Sequence, residues 1–152
     1  MNNKTIEKSK SFKEIANDPV GTIYYESMEG GIKFIILRGP CSLCAYLGIP
    51  KDHPLAGFDY DVLPISCHGG LTFSGNNRIK ELSTERHWYG WDYSHAGDRS
   101  FYDLKNPLMN SIEEHEWTIE EVIKDSWDAQ YEMEKLMKLA EGLFRKIKWN
   151  MA

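Results

Sequence analysis

Long apolar runs are absent: no window of about 18 consecutive apolar residues occurs, which excludes a membrane-spanning helix and any partnership with a membrane by that route. The opening MNNKTIEKSK carries lysines with no apolar stretch behind them, so no secretory leader is expected. Cysteine is scarce, and its three positions, Cys41, Cys44 and Cys67, are an odd number. That fits reduced thiols in a cytoplasm better than a disulfide framework. Positive charge is also in deficit, with 18 Lys and Arg against 23 Asp and Glu for a net charge of −5. A nucleic acid polymer is therefore not an expected partner, because neutralising many phosphates needs clustered cations; a small anion in a local pocket remains open.

What is present suits one folded domain over residues 1–152, with 41% hydrophobic and 27% charged residues. Residues 1–10 are polar and expected to fray. Ser11 stands ahead of a short helical pattern in Phe12, Ile15 and Ala16 that stops before Pro19. Two β-rich runs, 20–25 and 32–37, are joined through Gly30 and Gly31 and predict an N-terminal β-hairpin; the nearly continuous apolar run IKFIIL predicts an interior strand. Residues 44–49 are strand or helix, and the following PKDHPLAGFDYD is loop. Ile65, Cys67, Leu71 and Phe73 alternate with polar residues, predicting a strand that presents His68 and Thr72 on its open face. His87 to Tyr93 predicts an aromatic strand, with Tyr89, Trp91 and Tyr93 on one face and Trp88 and Asp92 on the other.

Thr118 with Glu121 forms a capping-box pattern, and Ile119, Val122, Ser126, Ala129, Met133, Leu136, Ala140, Leu143 and Ile147 mark one face of a helix over 118–147. Such a helix is roughly 45 Å long and outreaches a small sheet, so homo-oligomer formation through its protruding stripe is expected. The fold class is thus α+β: a small mixed or antiparallel sheet, an N-terminal hairpin and a long C-terminal amphipathic helix.

Two segments concentrate chemistry. In HGGLTFSG, His68, Gly69, Gly70 and Thr72 suit an anion, since adjacent glycines let backbone N–H groups converge; the alternative is a bulge or tight bend. In HWYGWDYSHAGD, Trp88 and Trp91 offer stacking faces, and Asp92, His95 and Asp98 offer acceptors; the alternative is an aromatic core strand ending in a capped turn. Tyr60 is a further stacking candidate. His68, His95 and Asp92 also make an acid–base set for phosphodiester cleavage, with or without a metal. No metallohydrolase spacing is present, no cofactor is expected, and a zinc site built from Cys41, Cys44, Cys67 and His68 is a minor alternative to free thiols. His53, His87 and His115 lie beside turns or charge runs and are expected to be exposed.

On GIPKDHPLAGFDYD, then HGGLTFSG, then WYGWDYSHAGD, followed by a long helix, the chain resembles a widespread set of small bacteriophage proteins. The resemblance runs from about Cys44 to the C-terminus, leaves the N-terminal hairpin outside, and is departed from at Tyr93. It implies a counter-defence protein in the cytoplasm of an infected bacterium. Such a protein would bind and sequester a nucleotide immune signal, of ADP-ribose or cyclic type, or cleave it as a phosphodiesterase.

Overall fold

The computed structural model of the chain describes residues 2–5, 10–109 and 112–151. Among them, six strands form one sheet: β1 (Asn2–Thr5), β2 (Ile23–Glu29), β3 (Ile32–Arg38), β4 (Leu43–Pro50), β5 (Phe73–Gly75) and β6 (Arg86–Asp92). Their order is β1-β2-β3-β4-β6-β5, and every neighbouring pair is antiparallel. Part of the segment expected to fray is thus ladder, since Asn2 to Thr5 pair with Met28 to Tyr25. The α+β architecture with its N-terminal hairpin is the one the patterning predicts, and the sheet is antiparallel throughout.

The hairpin turn is tighter than the glycine pattern alone suggested. Glu29 pairs with Ile32, leaving only Gly30 and Gly31 in the loop, at φ +59° and +78°. Successive positive φ values are what a two-residue turn matched to strand twist requires. β2 accordingly extends through Ser27, Met28 and Glu29, beyond the 20–25 run expected from the sequence. Its register slips between Ile23 and Tyr25, and the intervening Tyr24 turns into the core, with its hydroxyl donating to Asp18 Oδ2 at 2.7 Å.

β3 is interior, and both its faces are covered. Ile32, Phe34 and Ile36 join the larger core, while Ile35 and Leu37 join a smaller one with Tyr46, Leu82 and Trp88. The larger core is closed by α1 (Phe12–Ala16), where Ser11 completes a capping box with Glu14, and by two C-terminal helices. The segment 44–49, ambiguous between strand and helix, belongs to β4.

The C-terminal helix is divided. Thr118 caps α2 (Ile119–Asp125) through the predicted box, its Oγ1 accepting from Glu121 N–H at 3.3 Å while its own N–H donates to Glu121 Oε1 at 2.9 Å. Ser126, still in the helical region at φ −82° and ψ −10°, joins α2 to α3 (Trp127–Met151), and the i→i−4 bonds to Val122 O and from Gln130 N–H run on through it. The buried Ser126 hydroxyl donates to Ile123 O at 2.7 Å, a local bond of the kind that bends helices. The long helix predicted over 118–147 is thus present but bent, in two segments that meet at Ser126. Ala129, Met133 and Met137 continue the buried stripe, but beyond Ala140 the predicted stripe residues Leu143 and Ile147 are more than half exposed. No helix among the described residues is long and apolar enough to cross a membrane.

Candidate functional site

The strand predicted for Ile65 to Phe73 is irregular chain with a turn at His68–Gly69, and only Phe73 joins β5; this turn places the site. Cys67 O accepts from Gly70 N–H at 3.0 Å, with Gly69 at φ +70° and Gly70 at +80°. A side chain at Gly69 would occupy the space of the His95 ring, so the turn packs directly on that imidazole. The close approach sets His68 beside the end of β6. Of the adjacent glycine N–H groups expected to converge on an anion, that of Gly70 is already committed to Cys67 O, and beyond them the Thr72 N–H donates to Gly90 O at 2.9 Å. The tight-bend alternative therefore accounts for the paired glycines.

Around this turn His68, Asp98, Trp117, Tyr93, His95 and Asp92 come together. His68 Nε2 lies 2.6 Å from Asp98 Oδ2. The same oxygen accepts from His95 N–H at 2.9 Å, while Trp117 Nε1–H donates to Asp98 Oδ1 at 2.8 Å. Burial opposes the charge on Asp98, but these bonds outweigh it and hold the carboxyl below its ordinary value. An ionised carboxylate only accepts, so Nε2 of His68 is the nitrogen that donates in this contact, and Nδ1 is turned away from Asp98. Among the described residues Nδ1 has no hydrogen-bond partner, and the side chain is 24% exposed.

The ring of His68 is held by aromatic neighbours. Tyr93 stacks on it with centroids 4.9 Å apart and planes 8° from parallel, and Trp117 meets it edge-on at 4.9 Å. Tyr93 is itself fixed: its hydroxyl accepts from Trp91 Nε1–H at 2.9 Å and donates to Asp125 Oδ2 at 2.8 Å. Burial pushes the Tyr93 phenol far up, so it remains a donor. His95 stands edge-on to His68 at 5.5 Å, and its Nε2, buried beneath Gly69, is 3.3 Å from Asp92 Oδ1 without the alignment of a hydrogen bond.

Four sequence candidates, Trp88, Trp91, Tyr60 and Thr72, fall outside this grouping. Trp88 and Trp91 are each 1% exposed, in the smaller and larger core respectively, because β6 lies inside the sheet between β4 and β5. Trp88 Nε1–H is satisfied by Ser83 O at 2.8 Å. Neither indole offers a stacking face, and the core-strand alternative accounts for both. Tyr60 lies in a 3₁₀ turn, Tyr60–Val62, with its N–H donating to the hydroxyl of Ser74. Ser74 pairs with Tyr89, three residues from Asp92 along β6 and thus roughly 10 Å away. Thr72 is exposed beside β6 at Gly90.

Trp117 and Tyr93 were not among the sequence candidates. Trp117 belongs to no motif and reaches Asp98 from a distant loop, whereas Tyr93 carried a usable signal, its place on the core face of the aromatic strand. Of the histidines expected to be exposed, only His115 is open, paired with Glu121 Oε2 at 2.7 Å. His87 is half-buried, and desolvation lowers its pKa. His53 is 8% exposed, because Glu141 reaches it from α3.

All three cysteines are free thiols. Cys44 faces the smaller core and Cys67 packs against the larger one, so the sheet separates the zinc ligands considered from sequence. Burial pushes both thiols up to about 12. Among the described residues, no three His, Cys, Asp or Glu side chains group as a metal ion would need. Compared with protein-family models, curated proteins and solved structures, the chain matches none.

Proposed function

We propose that the protein performs metal-free acid–base chemistry on a phosphodiester of a nucleotide signal, with His68 as general base. One observation carries this reading: an imidazole packed against the mutually contacting rings of Tyr93 and Trp117, oriented by a buried carboxylate at 2.6 Å, with Nδ1 left without a hydrogen-bond partner among the described residues. A water delivered to Nδ1 attacks phosphorus and gives its proton to His68, while Asp98 stabilises the imidazolium. The P–O bond to the leaving ester oxygen breaks, and that oxygen takes a proton from His95, whose ring centroid is 5.5 Å from that of His68. Positioned proton transfer of this kind contributes about 10²- to 10⁴-fold to rate. The bacteriophage resemblance supplies the substrate class, a cyclic or ADP-ribose-type immune signal.

Sequestration without turnover is the competing reading. It uses the same His68 edge and the exposed Thr72, but burial of Trp88 and Trp91 removes the stacking faces that favoured it. Incubating the protein with cyclic dinucleotides and ADP-ribose derivatives, then denaturing it and analysing the nucleotide, separates the two. Conversion beyond one molecule per chain, lost in His68→Gln, supports hydrolysis. Intact nucleotide retained at one per chain moves the reading to sequestration, and unaltered nucleotide that is not retained sinks both.

A further inference from the structure

We propose a second site, an anion-binding cavity for a small phosphate-bearing molecule, lying between α1, the turn after β3 and the segment that follows Asp98. The cavity encloses about 520 Å³, within the range of small-molecule sites, and is lined by Lys13, Arg38, Arg99, Phe101, Lys105 and Glu116 among others. Four cationic side chains thus face one carboxylate, in a protein whose net charge is −5. The concentration of positive charge is local, against the overall balance.

The two arginines make this a built site. Arg38 is 8% exposed and Arg99 7% exposed, yet buried cations are ordinarily paired. Arg38 donates only to neutral carbonyls, from Nη1 to Gly39 O at 2.7 Å and Pro40 O at 3.1 Å, and from Nη2 to Ala16 O at 2.8 Å. Its guanidinium lies 4.3 Å over the Phe101 ring, its buried Nε has no hydrogen-bond partner, and no described carboxylate is within ion-pair distance. Asp18 is near enough to feel Arg38 electrostatically, but its Oδ2 accepts from Lys10 and from the Tyr24 hydroxyl.

Arg99 is held the same way, by Met109 O and Ile112 O at 3.3 and 2.8 Å. Its Nε is 3.3 Å from Glu116 Oε2 but lacks hydrogen-bond alignment, and Glu114 is a further neighbour in its field. Lys13 and Lys105 are exposed at the mouth, with no ion-pair partner among the described residues. Backbone carbonyls therefore lock both guanidinium planes, Arg38 without a carboxylate partner among the described residues and Arg99 with Glu116 as its one ion-pair partner, and the two exposed lysines add positive charge to the same cavity. Fixed forks with lysines around them suit a multiply charged oxyanion, and the Phe101 side of the cavity accommodates the apolar part of its carrier.

This inference does not depend on the chemistry assigned to His68. Calorimetric titration of the intact protein at low salt with pyrophosphate and with adenosine monophosphate tests it, using His68→Gln and the double variant Lys13→Ala/Lys105→Ala. Because both lysines are exposed, the double variant keeps its fold. The expected result is one saturable site per chain, weakened about tenfold or more in the lysine variant, unchanged in His68→Gln, and accompanied by shifts of the Arg38 and Arg99 Nε–H resonances. Absence of saturation with either probe overturns the proposal, as does binding that the lysine variant leaves intact or that His68→Gln removes.

Discussion

Two histidine–carboxylate pairs in this molecule have nearly the same length and opposite character. His68 Nε2 is 2.6 Å from Asp98, and His53 Nε2 is 2.8 Å from Glu141. At His53 the other nitrogen is also in use, since Nδ1 accepts the Leu55 N–H at 3.1 Å and caps the 3₁₀ turn Pro54–Gly57. Both ring nitrogens are satisfied, and the pair ties that turn to α3. At His68 the second nitrogen is open, while the carboxylate rather than the imidazole is saturated with donors. A short His–carboxylate distance therefore says little about function by itself; between His68 and His53 the difference lies in the second ring nitrogen and in the burial of the carboxylate.

The comparison breaks most directly by removing each imidazole in turn. His68→Gln is expected to lower turnover of a hydrolysed nucleotide by about 10²- to 10⁴-fold with little change in melting temperature, whereas His53→Gln leaves turnover intact and destabilises by about 1–3 kcal/mol. Equal effects on both properties in both variants would erase the distinction. A second measurement asks whether the aromatic strand is core or platform. Trp88→Ala is expected to cost about 3–5 kcal/mol in urea unfolding, the range for emptying a buried large aromatic site, and a loss of nucleotide affinity with unchanged stability would reverse that assignment.

Asp98 sharpens the contrast through pH. Its folded pKa lies below the ordinary 3.8, so its contribution to stability is complete above the unfolded value and disappears as pH falls through the folded one. Wild-type protein should lose stability across that acid window, and Asp98→Asn should flatten the loss; identical acid unfolding curves count against the bonding described. The smallest effect concerns α3. Ile147→Glu should leave monomer stability within about 0.5 kcal/mol while reducing self-association in sedimentation velocity, as expected if the exposed stripe joins two copies. Unchanged sedimentation would remove that expectation.

Local pattern was a good guide wherever one side chain's neighbours lie a few residues away. Gly30–Gly31, the helix start at Ser11, the capping box at Thr118, and the two-sided burial of IKFIIL follow from turn geometry, orphan helix donors and periodicity. Alternation also sorted Tyr89, Trp91 and Tyr93 from Trp88 correctly, yet it could not tell that both faces of β6 are covered, because that depends on which strands flank it. The same limit hid the bend at Ser126, where a hydroxyl bond to Ile123 O accompanies a change of direction in a helix whose apolar periodicity continues past it.

The sequence by itself determined the α+β class, the hairpin, the capped C-terminal helical segment and the candidacy of His68, Asp92, His95 and Asp98, since each rests on local geometry or on residue chemistry. Tertiary structure alone decided that the His68 turn folds onto His95, that Trp117 comes 19 positions along the chain to complete the Asp98 site, and that Arg38 and Arg99 line one cavity. Those are contacts between segments remote in sequence, selected by how the sheet buries its faces, and no local periodicity encodes them.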